Sequence, residues 1–388
     1  MKRSVRHRAL EPARHAAERA AMRLHGERAR VRVLFASDLA EHTSEQQLAP
    51  FRRHRKALRD QLSLVSLHTD LATARGLLAL PRHGFDVVGV KLSFHTAERE
   101  ARAVVRELRR LAGSARLVYF DGDDDLAVQW PAILEDVDLW VKKHAFRDRA
   151  RYGEPTVGKH HLTDWVHRRF GVSFDDDPIP HGDAVPAAQR DKIFVGTNLA
   201  LDDKIQDLAA RVDALPTRER DHDVVCRAGV DPDTWLYHLR KDVTPVLESL
   251  APRFRVLTPT HRVPFEVYLD EMRRSRICVA PFGYGEICWR DFEAILCGCL
   301  LVKPDMSHVE TYPDLFDAGR TYVPVRWDLA DLAETCVHYL EHPAEREAIA
   351  REARRRLDAF YREGGFVDRV AAMLERLGLG ARPRERAS

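Results

Sequence analysis

From Val31 onward, short runs rich in β-branched and aromatic residues alternate with stretches of helical periodicity. Parallel strands need long crossover connections, usually helices, so this rhythm predicts an α/β chain built on parallel sheets. In the first half the runs are Val31–Ala36, Phe85–Val90, Leu117–Phe120 and Val137–Val141, with a helix signalled by Thr43 and Gln46 at capping-box spacing. Residues 173–190, SFDDDPIPHGDAVPAAQR, carry three prolines and no period. They read as a linker. The rhythm then restarts with Ile193–Val195, Asp223–Cys226, Phe254–Leu257, Ile277–Ala280 and Leu300–Val302.

Two α/β domains in tandem follow, in keeping with 388 residues at 45% hydrophobic content. The expected layout is a basic arm or helix over 1–30, a first domain over 31–175 and a linker over 176–190. A second domain over 191–345 precedes C-terminal helices and tail over 346–388. In the last segment Ile349, Leu357 and Phe360 form one apolar stripe, and Phe366, Val370, Met373, Leu374 and Leu377 another. Ligands of open α/β sheets bind beyond the carboxyl ends of the strands, so a cleft between the two sheets is where function is expected.

The charge totals exclude some partners. Lys+Arg 62 nearly cancel Asp+Glu 60, giving a net +2 without a recognition module for nucleic acid. The six cysteines form no CxxC pair and no disulfide framework, and read as reduced, mostly buried thiols. No apolar run approaches a membrane span and no secretory h-region is legible, so a cytoplasmic location is expected. Residues 1–30, with nine Lys/Arg against three Glu, leave peripheral membrane contact open, although their apolar face is mostly Ala.

The segment richest in chemistry is ICVAPFGYGEICWRDFEAILCGCLLVKPD, from Ile277 to Asp305. A strand breaks at Pro281 and turns through Gly283-Tyr284-Gly285; a helix from about Ile287 to Cys297 and a strand at Leu300–Val302 follow. The amino end of such a helix is a seat for phosphate, and Arg290 in its first turn adds a forked cation. Glu293, three residues on, is expected on the same face, where its carboxylate can accept from a ribose diol. An i, i+3 Arg/Glu pair is also a common solvated helix pair.

The stretch GYGEICWRDFEAILCGCLLV resembles the nucleotide-sugar-binding module of GT-B glycosyltransferases, both the group 1 transferases and the exostosin-type pattern. Ile193-Phe-Val-Gly-Thr-Asn198 and Lys303–His308 are similar to the same class. The resemblance implies two Rossmann-like domains facing each other across a cleft, with C-terminal helices crossing back. It implies a glycosyltransferase moving a sugar from a nucleotide diphosphate sugar to a hydroxyl on a glycan or small molecule. Glu293 would bind the donor ribose, and Arg290 with Gly283, Tyr284, Gly285 and Glu286 the diphosphate. Gly196, Thr197 and Asn198 would approach the phosphates from the strand before them. One residue fewer separates Glu286 from Glu293 than in the group 1 pattern, so only Glu293 takes a patterned glutamate position.

On the acceptor side, Asp38 and His42 follow the first strand, where a base could reach a hydroxyl. Lys91 and His95 follow the second run, Phe85–Val90, and Lys142-Lys143-His144 could neutralise a diphosphate or pair with acids. The loop FDGDDDL, residues 120–126, looks like a metal cage, because divalent ions take oxygen ligands. Yet the donor features lie far downstream. Asp121 and Asp123 are therefore expected as acceptor contacts or partners of Lys142 and Lys143, with no metal and no cofactor required. Two other readings stand beside transfer: a nucleotide-sugar epimerase on the same architecture, and a non-catalytic module binding nucleotide or glycan.

Overall fold

A computed structural model describes residues 29–38, 42–215, 218–259 and 261–380. The basic arm expected over 1–30 falls outside these residues up to position 28. The strands are β1 Val31–Ser37, β2 Leu64–Thr69, β3 Val87–Lys91, β4 Arg116–Asp121, β5 Leu139–Lys142, β6 His144–Phe146, β7 Thr156–Val157 and β8 His181–Gly182. They continue with β9 Ile193–Val195, β10 His222–Val225, β11 Val256–Leu257, β12 Ser275–Val279, β13 Leu300–Pro304, β14 Val309–Thr311 and β15 Val323–Val325.

Two parallel sheets result, ordered β2-β1-β3-β4-β5-β9 and β11-β10-β12-β13-β15. Both are two Rossmann-like units in strand order, each reversing direction beside its first strand. Because both faces of each sheet are covered, the strands are apolar almost throughout; β3 and β13 are buried at every residue. The period of two still sorts side chains. Leu34, Ala36, Val88, Val90 and Leu117 meet Ala101, Val105 and Leu108 of the helix Glu98–Ala112. Val33, Phe35, Val87, Val118 and Phe120 face the opposite way.

On that second face lies the helix Gly365–Arg376, which returns from the end of the chain to the first sheet. Its Phe366, Val370, Met373 and Leu374 are buried there, each worth about 1.5–3 kcal/mol by the area removed from water. Arg369 Nε adds a hydrogen bond to the Val195 carbonyl (2.6 Å). The apolar stripe in the sequence thus finds the partner that the crossing-back expectation required.

Three sequence expectations change. Ile193–Val195 was expected to open the second sheet, but β9 pairs with β5 (Trp140↔Ile193, Lys142↔Val195) and closes the first. A three-residue apolar run carries no information about which open edge it will meet. Residues 173–190 are not a free linker either: β8 pairs with β7, and Val185 is buried at 1% exposure. Finally, β2, β6, β7, β8, β14 and β15 have no counterpart among the expected runs, being short or interrupted by polar residues. The cysteines are all free, and all but Cys288 are buried.

The units are joined by an antiparallel pair between β6 and β14, with His144 opposite Thr311 and Phe146 opposite Val309. Arg149 supports this junction by pairing with Glu310 (2.7 Å).

Candidate active site between the two sheets

The acidic loop at the carboxyl end of β4 is a network of ion pairs. Asp121 accepts from Lys142 Nζ (2.7 Å) and Trp140 Nε1 (2.9 Å). Lys159 lies 2.7 Å from Asp123 and 2.9 Å from Asp125, and Lys143 2.6 Å from Asp124. Lys91, only 1% exposed, stands 3.7 Å from Asp123. Burial disfavours ionisation of Asp123, but Lys159 and Lys91 override it and hold the carboxyl well below its usual range. A divalent cation would have to displace these ammonium groups. The metal-cage appearance of FDGDDDL thus gives way to ion pairs: Asp121 takes Lys142, one of the partners expected for it, while Asp123 takes Lys159 and Lys91.

The glycine loop of the second unit docks on this network. A Cβ at position 285 would lie 1.4 Å from the Asp124 carbonyl oxygen, so the approach of backbone to backbone requires Gly285. Gly283 N–H closes the turn on the Gly285 carbonyl (2.9 Å). Between them Tyr284 is pushed outward, 58% exposed, its ring edge-on to Trp235 (6.1 Å between centroids).

The following helix spans Trp289–Leu296 rather than starting at Ile287. Its first turn is closed by its own side chains: Asp291 accepts from the Cys288 N–H (3.0 Å) and pairs with Lys303 (2.7 Å), both wholly buried. A capped turn is a poorer anion seat than the bare N–H groups expected from sequence. The cations nearby take that role instead.

Arg290 donates one bond, Nη2 to the Arg227 carbonyl (2.7 Å), while its buried Nε and Nη1 have no hydrogen-bond partner. Arg240 donates to the carbonyls of Phe282 (2.7 Å) and Gly229 (2.9 Å). Burial and the neighbouring Arg290 both lower its affinity for its proton. Among the described residues no carboxylate forms an ion pair with Arg240 or Arg290, whereas nearby Arg227 is held by Glu271. Two guanidinium groups are thus left uncompensated beside the loops that follow β10 and β12. Since β10 lies between β11 and β12, this is the switch point of the second sheet.

The remaining expected residues divide. Glu293 is 2% exposed, accepts from Tyr268 Oη (2.7 Å) and lies 2.6 Å from Lys204 Nζ. Its carboxylate is engaged by Tyr268 and by Lys204 of the helix Asp203–Val212, and it forms no ion pair with Arg290. Gly196 and Thr197 follow β9 on the first sheet. Asn198 is committed to the junction, donating to Thr311 Oγ1 and the Pro313 carbonyl (both 2.9 Å) and accepting from Ala200 N–H. Asp38 is exposed just beyond β1, at the switch point of the first sheet, and His95 is exposed beside Phe94. His42 begins the helix His42–Arg53; its side chain is outside the described residues.

Glu286 departs furthest from expectation. It is 1% exposed and faces His144, His161 and His308 rather than the arginines. Burial alone would raise its pKa, yet these imidazoles hold it well below the usual range. Sequence reasoning also missed Arg240, Lys159, His161, Lys204 and His308. Nothing in local spacing connects them to the site; only the packing of the two sheets does.

The model of a glycosyl transferase-like family matches residues 240–374, from Arg240 through the glycine loop and into the returning helix. A search of curated proteins gives no match. Among solved structures, the glycosyltransferase from Rickettsia africae ESF-5 is similar at a TM-score of 0.45 and 11% identity, over 89% of this chain and 98% of that one. The S. aureus MnaA–UDP co-structure gives 0.43 and 10%, over 90% and 97%. The trehalose 6-phosphate synthase of Burkholderia multivorans gives 0.42 and 12%, over 92% and 99%. At these scores the fold assignment rests on strand order instead. Among the described residues no helix is long and apolar enough to cross a membrane.

Proposed function

We propose that the protein is a glycosyltransferase that moves a sugar from a nucleotide diphosphate sugar to a hydroxyl acceptor, the second unit holding the donor. The observation that carries this reading is the pair Arg240 and Arg290 at the switch point of the second sheet, without a carboxylate partner among the described residues and with two buried Arg290 nitrogens unbonded, within the segment matched by the glycosyl transferase-like model. As the bond from sugar to diphosphate breaks, negative charge grows on the leaving phosphate. Guanidinium donors fixed in a water-poor site stabilise that charge without reorganising.

The rest of the reaction is assigned by position. Tyr284 and Trp235 present aromatic faces beside the glycine loop to the donor. Glu293 serves the ribose by exchanging Lys204, which is 40% exposed in its side chain, for the sugar hydroxyls. The acceptor, a glycan or small molecule, approaches the first sheet beyond β1, where Asp38 or His42 takes the hydroxyl proton. In this scheme the arginines supply the positive charge, so the transfer step needs no metal or cofactor. We place the reaction in the cytoplasm, and assign any peripheral contact with an anionic surface to the basic composition of residues 1–30.

The test is product formation from a panel of UDP- and GDP-sugars with simple hydroxyl acceptors. Nucleoside diphosphate release matched by glycoside formation is expected, and Arg240→Ala or Arg290→Ala should reduce it by roughly two orders of magnitude. Conversion of the donor sugar without any acceptor would instead mark an epimerase. Wild-type turnover in both variants would sink the assignment.

A further inference from the structure

The junction of the two units encloses a second cluster that sugar transfer does not use. His161 begins the helix His161–Phe170 of the first unit, Glu286 ends the glycine loop of the second, and His308 precedes β14. Glu286 Oε1 lies 2.6 Å from His161 Nε2 and 3.6 Å from His308 Nε2. Donor atoms of the three residues all fall within 4.8 Å of one another. The short contact with His161 lacks hydrogen-bond geometry: Glu286 Oε1, both ring nitrogens of His161 and His308 Nε2 are buried without a hydrogen-bond partner. His161 and Glu286 are 7% and 1% exposed.

The surroundings make this arrangement expensive as it stands. Among the described residues no lysine or arginine pairs with the Glu286 carboxylate; Lys303 reaches only its backbone carbonyl (2.6 Å). Phe146 and Trp327 pack against His161 with ring centroids at 4.9 and 5.9 Å, and Trp327 lies 5.2 Å from His308. A buried carboxylate in such a shell calls for a compensating cation. Donor atoms that converge on one point without hydrogen-bonding one another are the arrangement such a cation would organise.

We propose that His161, Glu286 and His308 bind a divalent transition-metal ion, zinc first, since two imidazoles and a carboxylate form a recognised zinc donor set. His144 Nε2, 3.3 Å from Glu286 Oε2, orients the other carboxylate oxygen as an outer partner. The ion would staple the two units at β6 and β14 and fix the base of the glycine loop. This role is independent of the transfer chemistry, and it departs from the sequence expectation of no metal. That expectation concerned the acidic loop and the cysteines, whereas these ligands come from three separate segments.

Tag-free full-length protein, stripped with a chelator and dialysed against zinc, should retain about one equivalent per chain. Its melting temperature should fall on stripping and recover on zinc addition, and Co²⁺ should give the visible absorption of histidine ligation. His308→Asn, at the most accessible ligand, should keep the far-UV circular dichroism spectrum while raising the zinc Kd at least about tenfold. Glu286→Gln provides a second variant should the first fail to fold. A folded wild-type chain that retains neither zinc nor cobalt, or folded variants that bind zinc as tightly as wild type, would overturn the proposal and leave a hydrogen-bonded histidine cluster.

Discussion

The acidic loop of residues 120–126 and the arginine pair at positions 240 and 290 face each other across the glycine loop and handle charge in opposite ways. In the loop, Asp121, Asp123, Asp124 and Asp125 each meet a lysine ammonium within 3 Å. At the arginines no carboxylate forms an ion pair among the described residues, and the buried Nε and Nη1 of Arg290 have no hydrogen-bond partner. Charge density in a sequence does not separate these cases. Pairing does: compensated charge holds the framework in register, and uncompensated charge is where an anion can be received.

The largest test of that contrast is Lys142→Ala, which leaves Asp121 and the Trp140 indole buried around an uncompensated carboxylate. Urea unfolding should show a loss of about 3–5 kcal/mol. Acid should act on the same network. Asp123 and Asp125 have folded-state pKa values depressed below the ordinary aspartate value of 3.8, so their stabilisation is complete above that pH and is lost as pH falls below it through the folded values. A melting curve against pH should therefore steepen below 3.8, and Asp123→Asn should flatten it.

A smaller effect is expected where the two regions touch. Gly285→Ala drives a methyl group into the Asp124 carbonyl and should destabilise by about 1–3 kcal/mol, with the glycine loop displaced. Thermal unfolding checks the first part, and weakened nucleotide binding the second. The smallest effect should come from the partly exposed pair of Arg276 and Asp223 (2.8 Å), where Arg276→Ala should change stability by less than about 1 kcal/mol.

What could be read in advance follows from how far apart the interacting residues lie in sequence. The unit running from β12 through the glycine loop to β13 was legible because strand, turn and helix signals are contiguous. The returning helix was legible as well, since the stripe through Phe366, Val370 and Leu374 needed an apolar surface to cover it. The membership of β9 was not, because Ile193, Phe194 and Val195 suit either sheet and the edge offered by β5 decides the matter. Glu293 and Glu286 illustrate the same limit in the site. Their residue types and positions suggested donor contacts, but Lys204 and the histidines that meet them come from other segments. Asp121 and Lys142 were recognisable as partners because they end adjacent strands, in register at Asp121↔Lys142.

The central claim is that the uncompensated arginines receive the diphosphate of a nucleotide sugar. The most direct measurement is the melting shift of the full chain with UDP, GDP and ADP, compared with Arg290→Ala. At least one nucleotide should raise the wild-type Tm by several degrees, and the shift should nearly vanish in the variant, whose own Tm changes little. Equal shifts in both proteins, or none with any of the three, would contradict the account.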